Sequence, residues 1–336
     1  MVNPEEDPAD GGEHNTHGHP REVLHAKIEA TRADIERQVH ATRAQIDQVN
    51  ERIEARTGRN LILAILIGVG LGAILLVSLI VIKDLFALVA LIFVGFSTFE
   101  LVTALKITPR KLDPVPNVIA ALGIVTAAYF NDPVVMWSSL LGGIAFAVVW
   151  RLIAQMIEAD GRTAPEIFRD VIAITLVQVY VPFMASFAVA LTRRENGEWW
   201  ALAFLIVVVS VDVGAYASGL SFGKHPMAPK ISPKKTWEGF AGAVIAAQIA
   251  GILLALFMLE VPWWVGTILG ALLVISATVG DLAESMIKRD IGIKDMSSWL
   301  PGHGGFLDRL DSMLPSAPLA FAIFVVFSPL STLVAS

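Results

Sequence analysis

The stretch from Asp281 to Asp311 carries Asp281, Glu284, Ser285, Lys288, Arg289, His303, Asp308, Arg309 and Asp311. It lies between two apolar runs long enough to cross a bilayer. Asp281, Glu284, Ser285, Lys288 and Arg289 fall at i, i+3, i+4, i+7 and i+8, which places them on one face of a helix leaving the membrane. Pro301 stops a helix, and Gly302, Gly304 and Gly305 around His303 permit a tight turn whose N–H groups can hold phosphate oxygens. Asp308 and Asp311 then open the last apolar run at i and i+3. Carboxylates gathered at one place repel, and a hard divalent cation resolves that conflict. Asp281 and Asp308 are therefore the expected principal Mg²⁺ ligands, with Asp311 assisting. Two such ions would suit an in-line phosphoryl displacement.

These residues need a membrane scaffold to meet. The chain has 336 residues, is 55% hydrophobic and only 17% charged, with a mean hydropathy of +0.64. Apolar windows at 61–82, 85–104, 115–130, 134–156, 171–191, 199–220, 239–260, 263–280 and 313–334 give about nine spans of an all-α polytopic protein, occupying 60–336. No cleavable signal peptide is expected, because the first sixty residues are polar. The absence of cysteine excludes disulfides and thiolate chemistry.

Lys and Arg placement sets the orientation. With the N-terminus inside, the loops 105–112, 157–170, 221–238 and 281–312 face the cytoplasm. They carry Lys106, Arg110, Lys111, Arg162, Arg169, Lys224, Lys230, Lys234, Lys235, Lys288, Arg289, Lys294 and Arg309. The outer loops offer only Lys83, Arg193 and Arg194, and Trp137, Trp199, Trp200, Trp263 and Trp264 fall near the outer interface. This is the pattern of a multi-pass protein of the cytoplasmic (inner) membrane.

Residues 1–20 lack large apolar groups and read as a disordered tail. In 21–57, Ile28, Arg32, Ile35, Val39, Thr42, Ile46, Val49 and Ile53 repeat at alternating steps of four and three. That suits a cytoplasmic coiled coil of about four heptads, which would pair with itself or a partner helix; the alternative is a single amphipathic helix lying on the membrane, which its many acidic residues disfavour on anionic lipid.

Two further features join the polar stretch on the cytoplasmic side. Lys234 and Lys235 precede the seventh span, where they anchor it or capture phosphate. Asp212 lies inside the sixth apolar run, where an acid is costly unless paired or hydrated. Glu100 is a weaker case of the same kind.

Ser285, Ile287, Lys288, Arg289, Lys294, Asp295, Ser297, Leu300, Pro301, His303, Gly304, Gly305, Phe306, Asp308, Arg309, Leu310 and Asp311 together resemble the signature of the phosphatidate cytidylyltransferases, or CDP-diacylglycerol synthases. Asp212 to Tyr216, Phe222 to His225 and the Ser232-Pro233-Lys234-Lys235 segment are similar to other stretches of that family. Val213 and Leu220 depart from it, standing where a small hydroxyl residue and an arginine are frequent.

The resemblance implies a dimeric, Mg²⁺-requiring membrane enzyme that condenses CTP with phosphatidic acid to CDP-diacylglycerol and pyrophosphate. Membrane lipids would surround it, and no nucleic-acid partner is expected. Lys288, Arg289 and Arg309 would offset the charge of the departing pyrophosphate, and Lys234 and Lys235 would hold phosphate groups. His303 would donate a hydrogen bond to phosphate. Asp212, Ser285, Gly304 and Gly305 complete the expected substrate-binding set.

Two other readings share parts of this pattern. A CTP-dependent kinase of a lipid alcohol would transfer the γ-phosphoryl group and release CDP. A transporter or membrane scaffold would use the polar loops for ions, but its site is expected near the midplane rather than at one face.

Overall fold

A computed structural model describes residues 61–158, 161–300 and 304–331. The expected tail at 1–20 and coiled coil at 21–57 lie outside them. The described chain is mostly helical, with one short hairpin and irregular connections, the longest of them after α9. Its helices are α1 (Leu61–Ile80), α2 (Lys83–Leu105), α3 (Pro114–Tyr129), α4 (Pro133–Glu158), α5 (Ala164–Gln178), α6 (Met184–Thr192), α7 (Gly197–Phe222), α8 (Trp237–Phe257), α9 (Trp263–Ile291), α10 (Leu307–Leu310) and α11 (Met313–Phe327).

Local signals set these boundaries. Pro114 and Pro133 sit at helix starts, where a missing N–H costs nothing. Thr163 and Glu166 close a capping box on α5, with the Thr163 N–H 2.8 Å from the Glu166 carboxylate. Gly292, at φ +83°, ends α9 in the left-handed conformation. The apolar run 171–191 is not one regular helix. Pro182 lacks the N–H a regular turn requires, and Val179–Phe183 widens into a π-turn between α5 and α6.

Among the described residues, seven segments are long and apolar enough to cross a membrane: Asp84–Leu105, Pro133–Glu158, Ala164–Thr192, Gly197–Phe222, Trp237–Phe257, Trp263–Ile291 and Leu307–Leu330. Gly68–Ile80 and Pro114–Tyr129 are apolar but shorter. Large apolar side chains face outward on most of them, including Ile92, Leu141, Ile172, Ile245, Val279 and Val325. Such a surface would aggregate in water but is matched by lipid. The tryptophans divide: Trp137, Trp199, Trp263 and Trp264 are exposed, whereas Trp200 is buried and meets Phe324 edge-on.

The part of the fold that positions the site is the run α7–α8–α9 with α10 and α11. Gly251 of α8 and Gly266 of α9 face each other, and a Cβ on Gly266 would lie 2.3 Å from the Gly251 carbonyl oxygen. Small residues thus let these backbones pack at a distance larger side chains forbid. Between α7 and α8, residues expected to form a loop make an antiparallel hairpin, β1 (Pro226–Ala228) and β2 (Ser232–Thr236), with Pro226 opposite Thr236 and Ala228 opposite Ser232. Its pairing is too short and irregular to leave a period-two pattern in the sequence.

Candidate active site

The α7–α8 hairpin is stitched at its base. Ser218 Oγ donates to the Gly214 carbonyl at 2.8 Å and lies 3.1 Å from that of Glu238. Thr236 caps α8, its Oγ1 accepting from the Gly239 N–H at 3.1 Å. Glu238 accepts from the Lys224 and His225 N–H groups at 3.1 and 3.2 Å and pairs with the His225 ring. These bonds fix both ends of the ribbon, so Lys234 and Lys235 on β2 project from a rigid edge. Lys235 Nζ reaches α9 and pairs with Asp281 Oδ2 at 2.5 Å.

The turn before α10 does something other than the sequence suggests. Among the described residues, the N–H groups of Gly305, Phe306 and Leu307, where a phosphate cradle was expected, are taken by the protein's own carboxylates. Gly305 N–H donates to Asp308 Oδ2 at 2.7 Å, and Met296 N–H donates to the same oxygen at 3.0 Å. Asp308 Oδ1 accepts from Lys288 Nζ at 2.7 Å. Glu100, only 2% exposed, accepts from the N–H groups of Phe306 and Leu307 at 3.0 and 2.9 Å and from the Ser297 hydroxyl at 2.5 Å. A Cβ at Gly304, itself at φ +79°, would come within 2.7 Å of Asp308 Oδ2, and one at Gly305 within 2.7 Å of Glu100. The two glycines are therefore required by two carboxylates wrapped in backbone.

Lys288 joins this cradle to α9. Besides Asp308 it binds Glu284 Oε2 at 2.6 Å, and Glu284 is fully buried. Asp308 is thus held from both sides, by a helix-borne ammonium and by the loop's amides.

A cavity of about 420 Å³ opens where these elements meet, lined on one side by Asp212, Tyr216, Lys234 and Lys235 and on the other by Asp281, Asp308, Arg309 and Asp311. Val211, Phe240 and Ala243 add an apolar flank. Asp212 has Asp281, Lys235 and Arg309 as charged neighbours, and Asp311 has Asp281, Asp212 and Lys288. Carboxylates from α7, α9 and the α10–α11 junction therefore share one space with lysines from the hairpin.

Among the described residues, no group of three or more Asp, Glu, His or Cys side chains is closed up around a metal position. The donor set still suits a hard cation. Asp212, Asp281 and Asp311 bring carboxylate oxygens to one cavity, and substrate phosphates can supply the remaining oxygens of a Mg²⁺ shell. Asp308 is less available than its neighbours, because both its oxygens already accept hydrogen bonds.

The cavity unites Asp212, Lys234, Lys235, Asp281, Asp308, Arg309 and Asp311 of the residues singled out in the sequence. Ser285, Lys288, Arg289, Gly304 and Gly305 are not in its lining. Ser285 Oγ donates to Asp281 at 3.3 Å, so it lies one contact behind the surface. Arg289 Nε donates to the Ile231 carbonyl at 3.2 Å and ties the hairpin turn to the end of α9. His303 lies outside the described residues.

Sequence reasoning missed the clamp made by Glu100, the burial of Glu284, and the Thr236 and Glu238 locks on the hairpin. An acid inside an apolar run was the one signal for Glu100. Glu284 carried none beyond its place on the polar face.

Comparison with known proteins bears on what such a cavity does. A profile of the cytidylyltransferase family matches residues 62–327. A phosphatidate cytidylyltransferase of Mycobacterium bovis is 37% identical over 281 residues, which is 81% of this chain and 90% of the relative. The Mycobacterium tuberculosis protein of the same name is 37% identical, with 84% of its length covered. The Mycobacterium leprae protein of that name is 35% identical over 279 residues, covering 81% of this chain and 89% of its own.

Proposed function

The chain belongs to the cytidylyltransferase family, and from that premise we propose that it condenses CTP with phosphatidate to give CDP-diacylglycerol and pyrophosphate. The observation that carries this reading is the single cavity in which membrane-helix carboxylates meet lysines of a polar hairpin beside an apolar flank. A triphosphate needs the cations, and a lipid phosphate needs an apolar approach.

In this reaction a phosphatidate oxygen attacks the α-phosphorus of CTP. The bond from that phosphorus to the α,β-bridging oxygen breaks, and its electron pair leaves with pyrophosphate. The nucleophile is an ionised phosphate monoester, so no side chain is required to remove a proton. Lys234, Lys235 and Arg309 hold phosphate groups and offset the charge that accumulates on the leaving group. Asp281, with Asp311 and Asp308, would hold Mg²⁺, one ion or two, and Asp212 would complete the acidic wall. The bound metal supplies charge neutralisation and polarisation of phosphoryl oxygens. Lys288 holds Asp308 rather than facing the leaving group, and Arg289 holds the hairpin. His303 serves as a hydrogen-bond donor to phosphate, and Ser285 orients Asp281.

Counting the shorter α1 and α3, the chain spans the inner membrane about nine times, with its N-terminus and the catalytic loops in the cytoplasm. Supporting this are the basic residues on the α2–α3, α4–α5 and α7–α8 connections and after α9. The heptad pattern at 21–57 supports self-association or a helical partner, and a homodimer is the assembly expected.

Product analysis tests the reaction. Purified protein in detergent, given phosphatidate, Mg²⁺ and CTP labelled at the γ-phosphate, should release labelled pyrophosphate and leave the lipid unlabelled. Label transferred to the lipid would identify a kinase instead.

A further inference from the structure

A second cavity, of about 310 Å³, lies beside the end of α2, the middle and later turns of α5 and the last turns of α9. It shares no lining residue with the catalytic cavity. Its polar edge is Arg110, Arg169 and Asp290, and its walls are apolar, with Ile172, Leu176 and Met286 among them. Arg169, Ile172 and Leu176 fall on one face of α5, so the surface runs from a guanidinium down into lipid-facing side chains. Ile172, Leu176 and Met286 are 52%, 43% and 54% exposed, which leaves that apolar strip open to the bilayer.

The charges at the mouth are incompletely used. Arg110 lies 3.7 Å from Asp290, a long contact with a largely exposed carboxylate, and donates to the Thr108 hydroxyl at 3.1 Å. Arg169 is exposed and forms no hydrogen bond or salt bridge among the described residues. Glu166, one turn earlier, is committed to capping α5. Two planar guanidinium groups face one solvated acid in the lining, with Glu166 a further negative charge one turn from Arg169; a phosphate suits them, because they can grip it with paired N–H donors.

We propose that this cavity is a binding site for the phosphate headgroup of an anionic membrane lipid, with Arg110 and Arg169 on the phosphate and an acyl chain along Ile172, Leu176 and Met286. The apolar strip beneath the arginines selects a lipid over a free anion. The site's third wall is the end of α9, where Asp290 stands two residues beyond Lys288, the ammonium that holds Asp308.

The test reads binding rather than turnover, so its failure would leave the proposed reaction untouched. Full-length protein in phosphatidylcholine nanodiscs is loaded with increasing phosphatidylglycerol, and retained lipid is counted by native mass spectrometry. Wild type should retain phosphatidylglycerol in preference to phosphatidylcholine, and Arg110→Gln/Arg169→Gln should weaken that retention about tenfold. Arg169→Gln alone breaks no bond within the described fold and should lower retention without lowering thermal stability. Equal retention by wild type and the double variant would overturn the proposal. So would displacement of the lipid by millimolar inorganic phosphate, which would mark a site for soluble anions. An effect of these arginines on membrane orientation alone would leave retention unchanged and would also contradict it.

Discussion

Two groups of acids and bases lie within the helices of this protein, and they have opposite characters. Asp170 on α5 is fully buried, and its carboxylate is saturated. Arg151 donates to one oxygen at 3.2 Å, while the Lys111 N–H and Arg162 donate to the other at 3.0 and 3.3 Å. Together they knot α4, α5 and the α2–α3 loop. Asp281 is about one-third exposed, pairs with Lys235 and faces a cavity shared with Asp212 and Asp311. A closed knot maximises internal hydrogen bonds and leaves nothing for a ligand. In the open cluster Asp281 still pairs with Lys235 and accepts from Ser285, but these groups line a cavity rather than closed packing, so a charged substrate can reach them and exchange partners.

The contrast yields separable effects. Asp281→Asn should reduce cytidylyl transfer by about a thousandfold or more, because it would remove the carboxylate charge proposed to hold Mg²⁺, with thermal stability nearly unchanged. Asp170→Asn should do the reverse. It leaves Arg151 and Arg162 facing a neutral amide in a buried setting, where breaking a pair costs about 3–5 kcal/mol. The protein should melt earlier and express poorly, yet its turnover per folded molecule should stay near wild type. Melting curves beside rates normalised to folded protein distinguish the two cases.

A smaller effect is expected at the join between fold and site. Glu100→Gln retains the shape of the clamp but loses the charge that two backbone N–H groups and Ser297 address. Activity should fall about ten- to a hundredfold, the range seen when a group supporting a metal ligand is lost. The Mg²⁺ concentration needed for half-maximal rate should rise with it. Chelation of wild type with EDTA should stop turnover, and added Mg²⁺ should restore it without refolding.

Much of this was legible because the sequence spaces its acids and bases at helical intervals. Asp281 to Arg289 form a continuous face of α9 as their spacing demands, and Asp308, Asp311, Asp212, Lys234 and Lys235 converge on the same cavity. What escaped notice depends on contacts between segments far apart in the chain. Nothing local to Gly304 and Gly305 says that their turn encloses Asp308 and Glu100 rather than an external phosphate, since either anion would favour the same glycines. Lys288 illustrates the same ambiguity: a lysine seven residues after Asp281 can face a substrate or, as here, lock Asp308 against Glu284. The π-turn at Val179–Phe183 was signalled by Pro182, but proline alone does not say whether a helix kinks, breaks or widens.

CTP is proposed to react where the acids of α9 and its neighbours line the cavity. The most direct test is the rate of pyrophosphate release from CTP and phosphatidate at saturating Mg²⁺ by Asp281→Asn and Asp170→Asn proteins, each normalised to its folded fraction. Near-complete loss in the first with near-wild-type rate in the second is the predicted result. Wild-type release by Asp281→Asn would contradict the assignment.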